Sequence, residues 1–168
     1  SSDLIGKMQN CNNSVYIGGG TGIADGIILK SELIDFNKRN DVKRSWELEM
    51  PSEETIESCL SPKGMIHQYN LSQKEKVETL DQLSKNKNAD IIFEKAVKAF
   101  SFLIQNRTQF FKANHAKIEK IVIGQRLGIF MANSKLISLP DSNTDIPWDY
   151  STDRRTAALG AAWKRICS

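Results

Sequence analysis

Histidine is nearly missing from this chain of 168 residues, with two copies, while cysteine occurs three times and proline four times. Each scarcity removes a class of protein. Cys11, Cys59 and Cys167 stand far apart, with no second Cys or His at the short spacing of a zinc site or redox pair, so they read as free thiols. His67 and His115 are equally isolated and read as surface or satisfied histidines rather than ligands. No apolar run approaches the roughly 20 residues of a membrane span. The opening residues also lack the charged start and long apolar stretch of a secretory signal. The expectation is a soluble, cytoplasmic chain with no membrane partner. A net charge of +3 with mixed signs lacks the concentrated basic patch of a nucleic-acid-binding protein. The densest basic cluster, residues 38–44, is interrupted by Asp41 and reads as a solvated connection.

What is present is an ordinary globular composition, 40% hydrophobic and 26% charged, over a length that fits one domain or one lobe of a larger protein. Val15-Tyr16-Ile17 is a β-prone run that ends in Gly18-Gly19-Gly20-Thr21-Gly22, and Ile27-Ile28-Leu29 follows closely. The pattern predicts strand, glycine turn, strand. A tight connection at Lys30-Ser31-Glu32 leads to a third strand over residues 33–36, completing an antiparallel meander. Pro51-Ser52-Glu53-Glu54 predicts a helix start running to Leu60, broken by Ser61-Pro62-Lys63-Gly64. Ser72 with Glu75 reads as a capping box that opens a polar segment to Ser84, followed by a loop at 86–88. Residues 89–111 place Ile92, Phe93, Ala96, Val97, Phe100, Leu103 and Ile104 at a period near 3.6, which predicts a long core helix. Ile121-Val122-Ile123 predicts a buried strand, residues 128–133 the start of a helix, 135–139 a short strand and 152–166 a terminal helix.

Three strands followed by alternating helices and strands predict an α/β fold. The arrangement is that of a ribonuclease-H-like lobe, with helices covering both faces of a mixed sheet. A dinucleotide-binding fold is excluded, because a strand rather than a long helix follows the glycine turn.

The segment from Tyr16 to Leu29 resembles the second phosphate-binding hairpin of ROK-type sugar kinases and their actin-fold relatives, the heat-shock chaperones and actin. Small residues let backbone N–H groups approach phosphate oxygens, and Thr21 adds a hydroxyl. Residues 121–128 resemble the same family's adenosine motif, with a departure: Gln125 and Arg126 stand where the family carries small residues. Their side chains either swing aside, with Arg126 offering stacking or a phosphate contact, or fill the site. Glu57-Ser58-Cys59-Leu60-Ser61 and the Ala-rich segment 155–162 are similar to the family's short helix and closing helix. The family's Cys-rich zinc loop and its accompanying histidine are absent.

The resemblance implies that residues 1–168 form the C-terminal, nucleotide-binding lobe of a two-lobed actin-fold ATPase. The first lobe, with the catalytic base, would be missing. The implied ligands are ATP with magnesium and a sugar, with phosphates at Gly19, Gly20, Thr21 and Gly22 and adenosine at Gly124, Gln125 and Arg126. The missing lobe or self-association would cover an exposed apolar face. No catalytic residue is assigned. Alternatives are a regulator or scaffold that has lost catalysis, and an actin-fold ATPase that acts without a sugar. A two-metal nuclease ranks last, because the predicted strands offer only Asp25 and Asp35.

Overall fold

Val15 and Ile17 supply β propensity to Ser14–Gly19 (β1), and Ile23, Ile27 and Ile28 supply it to Ile23–Leu29 (β2); the strands pair antiparallel with Ser14 opposite Ile28 and Gly19 opposite Ile23. The computed structural model describes residues 7–8, 10–138 and 145–152. Lys30 and Ser31 take left-handed backbone, φ 51° and 69°, and return the chain into Glu32–Leu33 (β3) beside β2. The expected meander is present, but its third strand is shorter than residues 33–36. Asp35 ends it, accepting from Asn37 N at 3.0 Å and capping a 3₁₀ turn over Phe36–Lys38.

Among the described residues the α-helices are Ile56–Leu60 (α1), Pro62–Ser72 (α2), Leu80–Ser84 (α3), Asp90–Ala113 (α4) and Gln125–Asn133 (α5). Several expected boundaries move. The first helix starts at Thr55, whose hydroxyl accepts from Ser58 N at 3.1 Å, rather than at residues 51–54. Ser61-Pro62-Lys63-Gly64 was expected to end a helix and instead opens α2. Ser61 Oγ accepts from Gly64 N at 3.0 Å, and Pro62 occupies a first-turn position where its missing N–H is not needed. Ser72 closes α2 rather than opening a helix. The capping box forms at Thr79, whose Oγ1 accepts from Gln82 N at 3.1 Å while Gln82 Oε1 accepts from Thr79 N at 3.3 Å.

Lys120–Gly124 (β4) lies parallel to β1, and Trp148–Ser151 (β5) lies parallel to β4, giving a mixed sheet of order β3-β2-β1-β4-β5. No strand forms over residues 134–138, against expectation. Leu139 and residues 153–166 of the expected terminal helix lie outside the described residues. The fold is α/β. α4 carries the predicted apolar face, and Phe93 stacks on Phe130 of α5 while Phe100 stacks on Trp148 of β5, at ring-centre distances of 5.7 and 6.3 Å. Among the described residues no helix is long and apolar enough to cross a membrane.

Residues 38–44, expected to be a solvated connection, are stitched to the body. Val42 is buried, Arg39 Nε donates to Asp41 at 2.7 Å, and the same guanidinium lies 5.2 Å from the centre of the Phe110 ring on α4. The hydrogen bond between them raises the Arg39 pKa and holds the Asp41 carboxyl below its ordinary range.

One charge lies inside the core. Asp25 stands opposite Ile17 on the face that also carries Val15, Ile27, Ile121 and Ile123. Arg107 of α4 puts Nε and Nη2 on Asp25 Oδ2 at 2.8 and 2.6 Å, Ser45 N donates to Oδ1 at 2.9 Å, and both side chains are fully buried. Arg107 also donates to the Lys43 carbonyl and to Asn106 Oδ1, each at 2.8 Å. Removing one member of such a pair strands a buried charge, at a cost of about 3–5 kcal/mol. Arg107→Met is expected to lower the unfolding free energy in urea by that amount. Adding Asp25→Leu should recover most of it, and a double variant as unstable as the single would disprove this account.

Candidate functional site

The two glycine-bearing segments of the sequence meet because β1 and β4 are parallel neighbours. Gly18 lies beside Gly124, and Gly19 forms a further bridge with Gln125. Both segments therefore end at the same edge of the sheet, where β1 turns into the hairpin tip and β4 turns into α5. In parallel α/β sheets this edge, beyond the carboxyl ends of the strands, is where ligands bind.

Space, rather than positive φ, explains the glycines, since none of those described has a positive φ. A Cβ on Gly19 would fall on the Leu127 side chain of α5, one on Gly124 would strike the Tyr16 ring, and one on Gly128 would strike the Ile123 carbonyl. The absences at Gly19 and Gly128 let the first turns of α5 lie directly on β1 and β4, and the absence at Gly124 makes room for Tyr16. Gly19, expected to touch phosphate, is buried under Leu127 and serves this packing.

At the tip, Gly20 N donates to the Gly22 carbonyl at 3.0 Å, which closes the turn and occupies that amide. Among the described residues, no hydrogen bond engages the amides of Thr21 or Gly22, and Thr21 is exposed. Glu57, in the first turn of α1, lies against the tip. Its Oε2 accepts from Ile23 N at 3.4 Å and would stand 3.0 Å from a Cβ on Gly22.

Two cavities flank α2. The first, about 380 Å³, lies between Thr21, Glu57, Ser58, Lys63 and His67 and is edged by the half-exposed ring of Trp46. Behind it Lys95 Nζ donates to Glu54 Oε1 at 2.7 Å and to Gln68 Oε1 at 3.5 Å. The Glu54 hydrogen bond raises the Lys95 pKa, so this nitrogen stays a cation at neutral pH. The second cavity is a groove of about 530 Å³ between α2 and α5, with Ile66, Leu80, Ile129 and Phe130 on its walls and Arg126 and Asp81 at its rim.

Of the expected site residues, Gly20, Thr21 and Gly22 form the tip, Arg126 borders the groove, and Gly124 and Gln125 form the junction between them. Gln125 takes left-handed backbone, φ 60°. Its side chain does not swing aside. The carboxamide lies over Gly18 and Gly20, with Nε2 3.1 Å from where a Gly18 Cβ would be and Oε1 2.5 Å from where a Gly20 Cβ would be. Sequence reading missed Lys63, His67 and Trp46 beside the tip, and Ile66 and Phe130 in the groove. The Ser61-Pro62 signal, read as a helix start, would have placed Lys63 and Ile66 on α2. Among the described residues no cluster of three His, Cys, Asp or Glu side chains is arranged to hold a metal.

No family model matches the chain, and no curated protein matches it by sequence. Solved structures do match. ROK hexokinase from Thermus thermophilus superposes with a TM-score of 0.68 at 14% identity, over 96% of this chain and 59% of its own. A ROK family glucokinase from Streptomyces griseus, solved with glucose and AMPPNP, gives 0.64 at 11% identity, over 96% and 63%. A ROK family transcriptional regulator, a homolog of the E. coli MLC protein, gives 0.64 at 15%, over 96% and 48%. The chain thus has the fold of part of the ROK sugar kinases and regulators, and it spans about half to three fifths of their length.

The packing role of Gly19 makes a prediction. Gly19→Ala forces a methyl group into Leu127, and overpacking of this kind costs about 1–3 kcal/mol. Chemical denaturation is expected to show a loss in that range; an unchanged midpoint would mean that α5 is not seated on β1 as described.

Proposed function

We propose that this chain is the ATP-binding half of a ROK-like sugar kinase, built as a ribonuclease-H-like lobe of the actin-fold type. The observation that carries the reading is the hairpin tip: among the described residues, two amides and a threonine hydroxyl have no hydrogen-bond partner, at a sheet edge where β4 runs into α5, one wall of an apolar groove. Phosphate oxygens of ATP would accept from Thr21 N, Gly22 N and Thr21 Oγ1, since backbone amides turned outward at a tight loop suit anions. The purine would enter the groove between Ile66 and Phe130, where apolar walls take a flat ring and Arg126 at the rim is placed to stack on it or reach a phosphate.

The cavity beside Thr21 suits the sugar. Glu57, Ser58 and His67 offer hydrogen-bonding groups for hydroxyls, and Trp46 offers an apolar face. Magnesium would arrive with ATP and neutralise its phosphate charge during transfer. This half would contribute positioning and charge stabilisation, which is most of what phosphoryl transfer asks of a protein. The base that takes the proton of the sugar hydroxyl would come from a partner lobe, in the part of the neighbouring structures that this chain does not cover.

A second reading, a regulator of the same fold that has lost catalysis, is favoured by the Gln125 side chain lying over the glycines. Calorimetric titration with Mg-ATP and Mg-ADP separates the two. The first reading expects binding, weakened about tenfold or more in Thr21→Val, because hydrogen bonds to charged groups contribute roughly 1.5–3 kcal/mol. Equal affinity in the variant would remove the phosphates from the hairpin tip, and no binding to either protein would favour the regulator.

A further inference from the structure

We propose that Gln125 is a movable stopper of the hairpin tip, a side chain that occupies the glycine slot when the lobe is empty and swings out when a phosphate chain arrives. The inference rests on the nucleotide reading above and adds a regulatory residue to that site.

The slot exists because Gly18 and Gly20, on one face of the hairpin, have no side chains, and the Gln125 carboxamide fills it. Contact is close: a Cβ on Gly18 would sit 3.3 Å from the carboxamide carbon and one on Gly20 would sit 2.5 Å from Oε1. What holds the carboxamide there is weak. Among the described residues its atoms make no hydrogen bond, and the residue is exposed, so a change of rotamer loses only van der Waals contact. Arg107, by contrast, is fixed by hydrogen bonds from Nε, Nη1 and Nη2.

The backbone delivers the side chain to the slot. Gln125 is the first residue of α5 and carries φ 60°, left-handed backbone that strains a non-glycine residue. The bridge to Gly19 and the seating of Leu127 on that glycine fix the position. From there the carboxamide covers Gly18 and Gly20, next to Thr21 and Gly22. A phosphate chain that runs from those two amides across Gly20 would meet the carboxamide there.

The cost appears as a reduced apparent affinity: a stopper in place in about nine molecules of ten raises the apparent Kd about tenfold. Two variants separate side chain from backbone. Gln125→Gly removes both stopper and strain, while Gln125→Asn tolerates left-handed backbone but is one methylene too short to span both glycines. Both are titrated with Mg-ADP beside the unaltered chain, with circular dichroism to check that each is folded. Tightening of about five- to tenfold in both variants, with a higher thermal midpoint in Gln125→Gly, is the expected result. Unchanged affinity overturns the stopper while leaving the nucleotide site intact. Weaker binding in both would instead make Gln125 a ligand-contacting residue and also overturn it. Absence of binding in all three proteins would defeat the nucleotide reading and the stopper together, whereas binding by the variants alone would support the stopper in its strongest form.

Discussion

The Asp25–Arg107 pair fixes the geometry on which the site depends. Asp25 lies on the sheet close to the glycine tip, Arg107 lies within α4, and the same two side chains bind Lys43 and Ser45 in the segment that leads to Trp46. Three parts of the chain are thereby joined by polar bonds inside an apolar core. A buried pair contributes little net stability, because desolvation offsets most of the attraction, but its directional bonds penalise any arrangement that leaves one partner alone. The hairpin, the long helix and the wall of the Thr21 cavity are consequently held in one relative position.

Around that fixed frame the site is shaped by missing side chains. Gly19 and Gly128 let α5 approach β1 and β4, Gly124 makes room for Tyr16, and Gly18 and Gly20 leave the slot that Gln125 covers. The left-handed backbone falls elsewhere, on Lys30, Ser31 and Gln125 among others. Glycine-rich turns are often explained by conformational freedom. Here the glycines mark close approach, and one of the residues with left-handed backbone, Gln125, lays its side chain over the glycine turn.

The resemblance to ROK-type kinases, drawn from the glycine hairpin and the 121–128 segment, agrees with the fold of the structures that match. In both segments the local signal was a short apolar run that ends at a glycine. Helix boundaries between Pro51 and Ser84 were misread for a definite reason. Serine and proline both begin and end helices, and the sequence Ser61-Pro62 satisfies either reading until the Gly64 amide is seen to bond back to Ser61. β5 escaped notice because Asp149 interrupts Trp148 and Tyr150, and such a short mixed run has no period of its own.

The sequence by itself determined what local chemistry can determine: the meander, the long helix with its apolar face at Ile92, Phe93 and Phe100, and the glycine turn. Tertiary structure alone decided which of these became neighbours. Gly18 meets Gly124, Asp25 meets Arg107, and Gln125 reaches the hairpin only because β1 and β4 pair in parallel across a hundred-residue separation. No short-range pattern encodes such a pairing. It depends on burying β1, β4 and α4 together, a property of the whole chain that individual segments do not carry.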